Sequence, residues 1–147
     1  MQLAEMAGKI GESWTTDWTT IPQERINTFA DCTDDHQFIH VDPVAAAAVT
    51  GTGGTIAHGF LTLSLIGGMS MRLLDDVEVR MGMNYGFDKV RFLAPVPEGS
   101  RVRAVFTLAD ATERKPGQWL LKFAVTMEIE GAAKPAFAAE WLVHCVA

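Results

Sequence analysis

The chain has 147 residues, of which 48% are hydrophobic and 20% charged, and it carries a formal net charge of −6. That length and balance predict a single globular domain spanning 1–147 and exclude a disordered chain. The acidic balance argues against a nucleic-acid partner, which would favour a basic surface, but leaves room for a local patch that binds an anionic small molecule.

The N-terminal stretch Met1 to Trp14 predicts a short helix over residues 1–10. It lacks the basic and continuous apolar regions of a signal peptide. Residues 12–19, with Trp14 and Trp18, alternate loosely and predict a strand. Thr20 is placed to cap a helix that should end near Asp31 to Thr33, with Pro22 in its first turn and Gln23 at the reciprocal capping position. Ile26, Phe29 and Ala30 give that helix its apolar stripe. Residues 33–41 are polar and aperiodic, which predicts a loop. Asp42-Pro43 then opens a short Ala-rich helix to Val49, and Gly51, Gly53 and Gly54 make a flexible loop.

Residues 57–75 are the longest apolar element. Phe60, Leu61, Leu63, Leu65, Ile66, Met69, Met71, Leu73 and Leu74 cover nearly every side, which predicts a helix buried all round. Gly67-Gly68 interrupts it at a cost of roughly 1–2 kcal/mol in propensity, which suggests a close contact or space for a ligand chain. Four strands follow. Residues 84–94 stop at Pro95-Val96-Pro97. Residues 101–109 turn Val102, Ala104, Phe106 and Leu108 to one face, and Arg101 and Arg103 to a solvated one. Residues 119–129 and 137–145 alternate likewise, with turns at Pro116-Gly117 and Gly131. A long helix against hairpin-linked strands predicts an α+β fold with an antiparallel sheet. No run of ~20 apolar residues predicts a membrane span. Cys32 and Cys145, far apart and in no metal-ligand spacing, fit free thiols in a reducing cytoplasm.

Chemistry concentrates in residues 31–64. Three of the four histidines, His36, His40 and His58, lie there beside Asp31, Asp34, Asp35 and Asp42. A surface loop with incidental polar residues would account for this density as well as a catalytic site would. His36 and His40 are four apart, but on a loop rather than a helix, so a metal pair is disfavoured, with His58 the one remaining ligand candidate. The glycines at 51–54 lack the Gly-Lys-Ser/Thr ending of a phosphate loop.

Two blocks carry a family resemblance: Asp35-His36-Gln37-Phe38-Ile39-His40-Val41-Asp42-Pro43, and Gly54-Thr55-Ile56-Ala57-His58-Gly59-Phe60-Leu61. They resemble the MaoC-like hydratases, which include the (R)-specific enoyl-CoA hydratases and the NodN-like proteins. Asn84-Tyr85-Gly86 and Arg91-Phe92-x-x-Pro95-Val96 add to the likeness, which covers roughly residues 12–145. The family's Asn-Pro is Gln37-Phe38 here; Gln37 keeps a hydrogen-bonding amide, while Phe38 leaves the loop without proline's fixed φ.

The resemblance implies a hot-dog fold, an antiparallel sheet wrapped around the 57–75 helix, and a homodimer with sites near its interface. It implies Asp35 and His40 as the catalytic pair, with Gly59, Gln37, Ile56 and His58 binding substrate. Gly59 would offer a backbone amide at a helix N-terminus, where negative charge is favoured. His58 would pack and hydrogen-bond to fix the loop. The implied activity is reversible hydration of a trans-2-enoyl thioester, on CoA or a carrier, to the (R)-3-hydroxyacyl thioester, with no cofactor and no metal. A hot-dog thioesterase and a non-catalytic acyl-binding subunit are the alternatives. The acyl chain would pass Gly67-Gly68.

Overall fold

The computed structural model describes residues 1–147. Leu3–Lys9 forms a 3-10 helix, followed by strands β1 (Ser13–Thr15) and β2 (Thr19–Thr20) and helices α1 (Gln23–Thr33), α2 (Phe38–Val41), α3 (Pro43–Ala47) and α4 (Gly59–Met69). A second 3-10 helix, Ser70–Leu74, leads to the long strands β3 (Met81–Phe92), β4 (Arg101–Lys115), β5 (Gln118–Ile129) and β6 (Phe137–Val146). All strand pairs are antiparallel. The sheet order is β1-β4-β5-β6-β3, and β2 also pairs with β4.

The period-two pattern puts one pleated face against α4. Val102, Ala104, Phe106 and Leu108 are fully buried, as are Leu121 and Met127 on β5 and Phe137 and Cys145 on β6. Register stacks these into layers, pairing Leu108 with Phe123 and Phe123 with Trp141. The rings of Phe106, Phe123 and Trp141 meet at 6.1–6.3 Å between centroids, within the range of tilted and edge-on aromatic contacts. Each such side chain contributes about 1.5–3 kcal/mol on full burial. At the β4–β5 hairpin Gly117 takes φ 74°, a value a side chain would strain.

The antiparallel sheet around a helix is as expected, and the helix itself differs. It starts at Gly59 rather than residue 57, because Ala57 donates to the carbonyl of Val96 at 2.8 Å and Ile56 bridges to Pro97. It ends at Met69 and tightens into the 3-10 turn. Gly67-Gly68 therefore lies in the last turn, not the middle, and the Ser70 hydroxyl donates to the Gly67 carbonyl at 2.8 Å there. Weak propensity at two glycines and a competing hydroxyl account for the early end. Nor is the helix buried all round. Leu61, Thr62 and Ile66 are buried against the sheet, while Phe60 and Met71 are 68% and 71% exposed. One sheet covers one side only, so the opposite side stays open in a single chain.

The predicted strand at 12–19 is split at Thr16, whose amide still donates to the Ala104 carbonyl at 2.9 Å but whose hydroxyl, in place of its carbonyl, accepts from Ala104 N–H at 3.0 Å. Arg101 and Arg103 are engaged rather than merely solvated. They pair with Glu130 and Glu128 at 2.8 and 2.6 Å, and Arg103 stacks 4.4 Å over Trp18. Thr20 pairs with Arg101 in the sheet and caps nothing; Pro22 holds the cap position of α1. Gln23 forms no capping box, its side chain reaching His40 and Thr55 instead. α1 ends at Asp34, in the left-handed region at φ 60°. Asp42 does cap α3, accepting from the amides of Val44 and Ala45 at 3.2 and 3.1 Å.

Candidate active site

The chemistry-bearing stretch is less loop-like than its composition predicts. Residues 38–41 make one helical turn, α2, and its geometry buries His40 while Asp35 stays exposed on the approach. Polarity and lack of period hide so short a turn. The amide of Ile56 donates to the Ile39 carbonyl at 3.0 Å, tying α2 to the segment entering α4. Asp35, His40, Ile56, His58 and Gly59 line a cavity of about 440 Å³, closed on its apolar side by Ile39, Phe60, Phe92 and Val96.

His40 Nδ1 lies 2.7 Å from the carbonyl of Ile56. A carbonyl only accepts, so Nδ1 carries the proton and the neutral ring's Nε2 offers its lone pair. The Asp35 carboxylate accepts from the Gln37 amide at 3.4 Å. Asp35, His40 and His58 each place a ligand atom within 4.8 Å of the others. A water donating one hydrogen to Asp35 and one to His40 spans such a gap, since each bond takes about 2.8 Å.

His58 is buried and its ring is sandwiched, stacked on His40 at 3.8 Å and tilted on Phe29 at 4.8 Å. Its Nε2–H donates to the backbone carbonyl of Asp35 at 3.0 Å, and its buried Nδ1 has no partner. The ring thus grips both members of the pair. Burial is the largest cause pushing its pKa below 6.5, aided by the neighbouring His40 and His36 and opposed by the Asp35 carbonyl and carboxylate. A histidine held neutral when folded contributes stability that is complete above its unfolded pKa and is lost as pH falls through the folded one. Denaturant titrations are expected to show stability falling as pH drops below 6.5, and His58→Gln is expected to flatten that slope. An unchanged slope in the variant would contradict this role.

The two stacked rings also bear on a metal. The planes lie 22° apart, and each nitrogen lone pair lies in its own ring plane. One ion at about 2.1 Å from both nitrogens cannot sit in two near-parallel planes.

Gly59 opens α4, so its amide has no intrahelical acceptor. It is also the one glycine whose added Cβ would collide, meeting Phe92 Cε1 at 2.9 Å. Gln37 is exposed and does not line the cavity; its contacts are through the backbone. Gly67 and Gly68 do not line it either. Gly67 borders a separate cavity of about 610 Å³ under the second 3-10 helix, and Gly68 another beside Trp14, so this cavity gives no support to an acyl chain passing both. Phe92 and Thr55 fall within the stretches that carry the resemblance and Gln23 at an expected helix start, but no site role is legible for them there, because those roles depend on contacts distant in sequence.

A model described as MaoC like domain matches residues 5–126. The chain belongs to the MaoC-like family. Among its MaoC-like relatives, it is 48% identical over 144 residues to Nodulation protein N of Rhizobium meliloti (strain 1021), covering 97% of this chain and 89% of that one. It is 49% identical over 146 residues to 3-hydroxyacyl-thioester dehydratase Z of Mycobacterium tuberculosis (strain ATCC 25618 / H37Rv), covering 99% and 94%. Among solved structures, the (R)-hydratase from A. caviae involved in PHA biosynthesis superposes with a TM-score of 0.76 at 24% identity, covering 91% and 94%; at that identity the likeness carries the MaoC-like hot-dog fold alone.

Proposed function

We propose that this MaoC-like protein is an (R)-specific enoyl-thioester hydratase, acting on trans-2-enoyl-CoA or the carrier-bound thioester and in reverse as a dehydratase. The observation that carries this is the Asp35 carboxylate and the His40 ring, close enough to share one water, beside the unpaired amide of Gly59 at the start of α4. The 49% identity to a protein named 3-hydroxyacyl-thioester dehydratase Z supports it.

The water donates its two hydrogens to Asp35 and to His40 Nε2, leaving a lone pair for Cβ of the substrate. As the C–O bond forms, Asp35 takes one proton and the thioester oxygen gains negative charge. The Gly59 amide and the α4 dipole stabilise that oxygen. Return of a proton from the pair to Cα completes the addition, so nothing is oxidised or reduced. Ile56 holds the His40 ring through its carbonyl, and the apolar wall takes the first carbons of the acyl chain. The expected result is loss of enoyl absorbance when trans-2-butenoyl-CoA or a longer homologue is added, without release of free thiol. Thiol release with the enoyl group intact would instead identify a thioesterase.

The domain spans 1–147 and works as a homodimer. β3 is an edge strand, and it exposes Met81, Met83, Tyr85 and Phe87, while α4 exposes Phe60 and the 3-10 helix after it exposes Met71. A long apolar edge left open is an aggregation hazard, which a second copy pairing along it removes. Sedimentation is expected to give twice the 16.0 kDa chain mass, and Tyr85→Asp is expected to shift it toward the chain mass. A wild-type monomer at micromolar concentration would contradict the dimer. The unpaired Cys32 and Cys145 fit a reducing compartment, and we place the protein in the cytoplasm.

A further inference from the structure

We propose that Gln23 is a positioning residue that holds His40 in its working orientation, an inference that rests on the role given to His40 above. The Gln23 amide donates from Nε2 to the backbone carbonyl of His40 at 2.7 Å and to Asn27 Oδ1 at 2.9 Å, and its Oε1 accepts from the Thr55 hydroxyl. Thr55 is 1% exposed. The next residue, Ile56, supplies the carbonyl that takes the proton of His40 Nδ1 at 2.7 Å. One side chain therefore braces both ends of His40, its backbone directly and its ring through the Thr55-Ile56 segment.

α2 is four residues long, too short to be stable without outside contacts. Two neutral tautomers of an imidazole differ by the bond made at Nδ1, and only the Nδ1–H form leaves Nε2 free to accept from water. Loosening Thr55-Ile56 releases that selection, and loosening the His40 carbonyl lets α2 drift. A purely structural staple between α1 and its neighbours would affect unfolding alone, whereas this brace acts on the ring that meets the water.

Gln23→Ala is expected to lower kcat about 10-fold to 100-fold with KM little changed, the size of effect that slight misplacement of a reacting group produces. In a His40→Ala background the same change is expected to cost nothing further, because its effect passes through the imidazole. Gln23→Glu, which sets a carboxylate oxygen against the His40 carbonyl, is expected to be no better than alanine. Thr55→Val, which keeps the buried shape but removes the hydroxyl, is expected to shift kcat in the same direction. Nitrogen NMR of the His40 ring gives a readout that needs no turnover: one Nδ1–H tautomer in the wild type, and averaged nitrogen shifts in Gln23→Ala. A folded Gln23→Ala protein with kcat within about twofold of wild type and an unchanged His40 spectrum would overturn the proposal. Absence of hydration in the wild type would overturn the assigned activity instead, and the NMR comparison alone would then decide the role of Gln23.

Discussion

Asp35→Asn and His40→Ala are each expected to lower kcat for enoyl-thioester hydration by on the order of 10²–10⁴-fold, with KM less affected. Asparagine keeps the shape of Asp35 and its contact with the Gln37 amide, but its carbonyl oxygen is a poor proton acceptor. Alanine at His40 removes the lone pair that orients the water, and also the face on which His58 stacks at 3.8 Å. His40→Gln, which fills more of that space, is the fold-preserving control. Since both groups act on one water, the double variant is expected to lose little more than the worse single one. Steady-state rates on folded variants check this, and near-wild-type turnover by either single variant would remove the pair from the chemistry.

The second large effect is expected at Gly59, whose contribution is an N–H rather than a side chain. Proline removes that N–H and nothing else from the helix frame, since the first helical position is where proline is tolerated best. The residue before it, His58, already sits at φ −58° and ψ 137°, in the extended region that a following proline requires. What opposes the change is Phe92, whose ring edge lies 2.9–3.3 Å from where a Cβ would be. The comparison therefore belongs in a Phe92→Ala background. Gly59→Pro there is expected to reduce kcat by about 10²–10³-fold, the usual cost of one oxyanion donor. Retention of the background rate, with helix content unchanged by circular dichroism, would mean that the carbonyl is held elsewhere.

What was legible in the sequence divides along physical lines. The alternation in β4, β5 and β6 reports burial directly, because a pleated strand between core and solvent has only two faces; Val102, Ala104, Phe106 and Leu108 fall as the pattern requires. The Asp42-Pro43 helix start was legible because its cap is local, within three residues. The helix over 57–75 was only half legible. Its start was moved by a bond to Val96 and its end by two glycines with Ser70, and its all-round apolar face reports a surface that one chain leaves open. β3 exposes its apolar side chains for the same reason.

At the site, the motif spacing marked Asp35, His40, Ile56, His58 and Gly59, all of which line one cavity. Gln37 was marked on the same grounds and points elsewhere, because its place in the motif is met by its backbone. Gln23 and Thr55 were invisible as site residues, since nothing in a sequence announces an amide bridging positions 17 and 32 residues away. Phe92 was likewise hidden until β3 brought it over Gly59.

If Asp35 and His40 direct one water to Cβ of an enoyl thioester, as proposed, oxygen-isotope tracing will find that oxygen in the product. Turnover of trans-2-butenoyl-CoA in ¹⁸O-labelled water, followed by mass spectrometry of the intact thioester, reports where the water oxygen goes. The expected result is one ¹⁸O at the C3 hydroxyl of a 3-hydroxyacyl-CoA of R configuration, formed by the wild type and strongly reduced in Asp35→Asn. Label appearing in the carboxylate of a free acid, with the C2–C3 double bond intact, would contradict it.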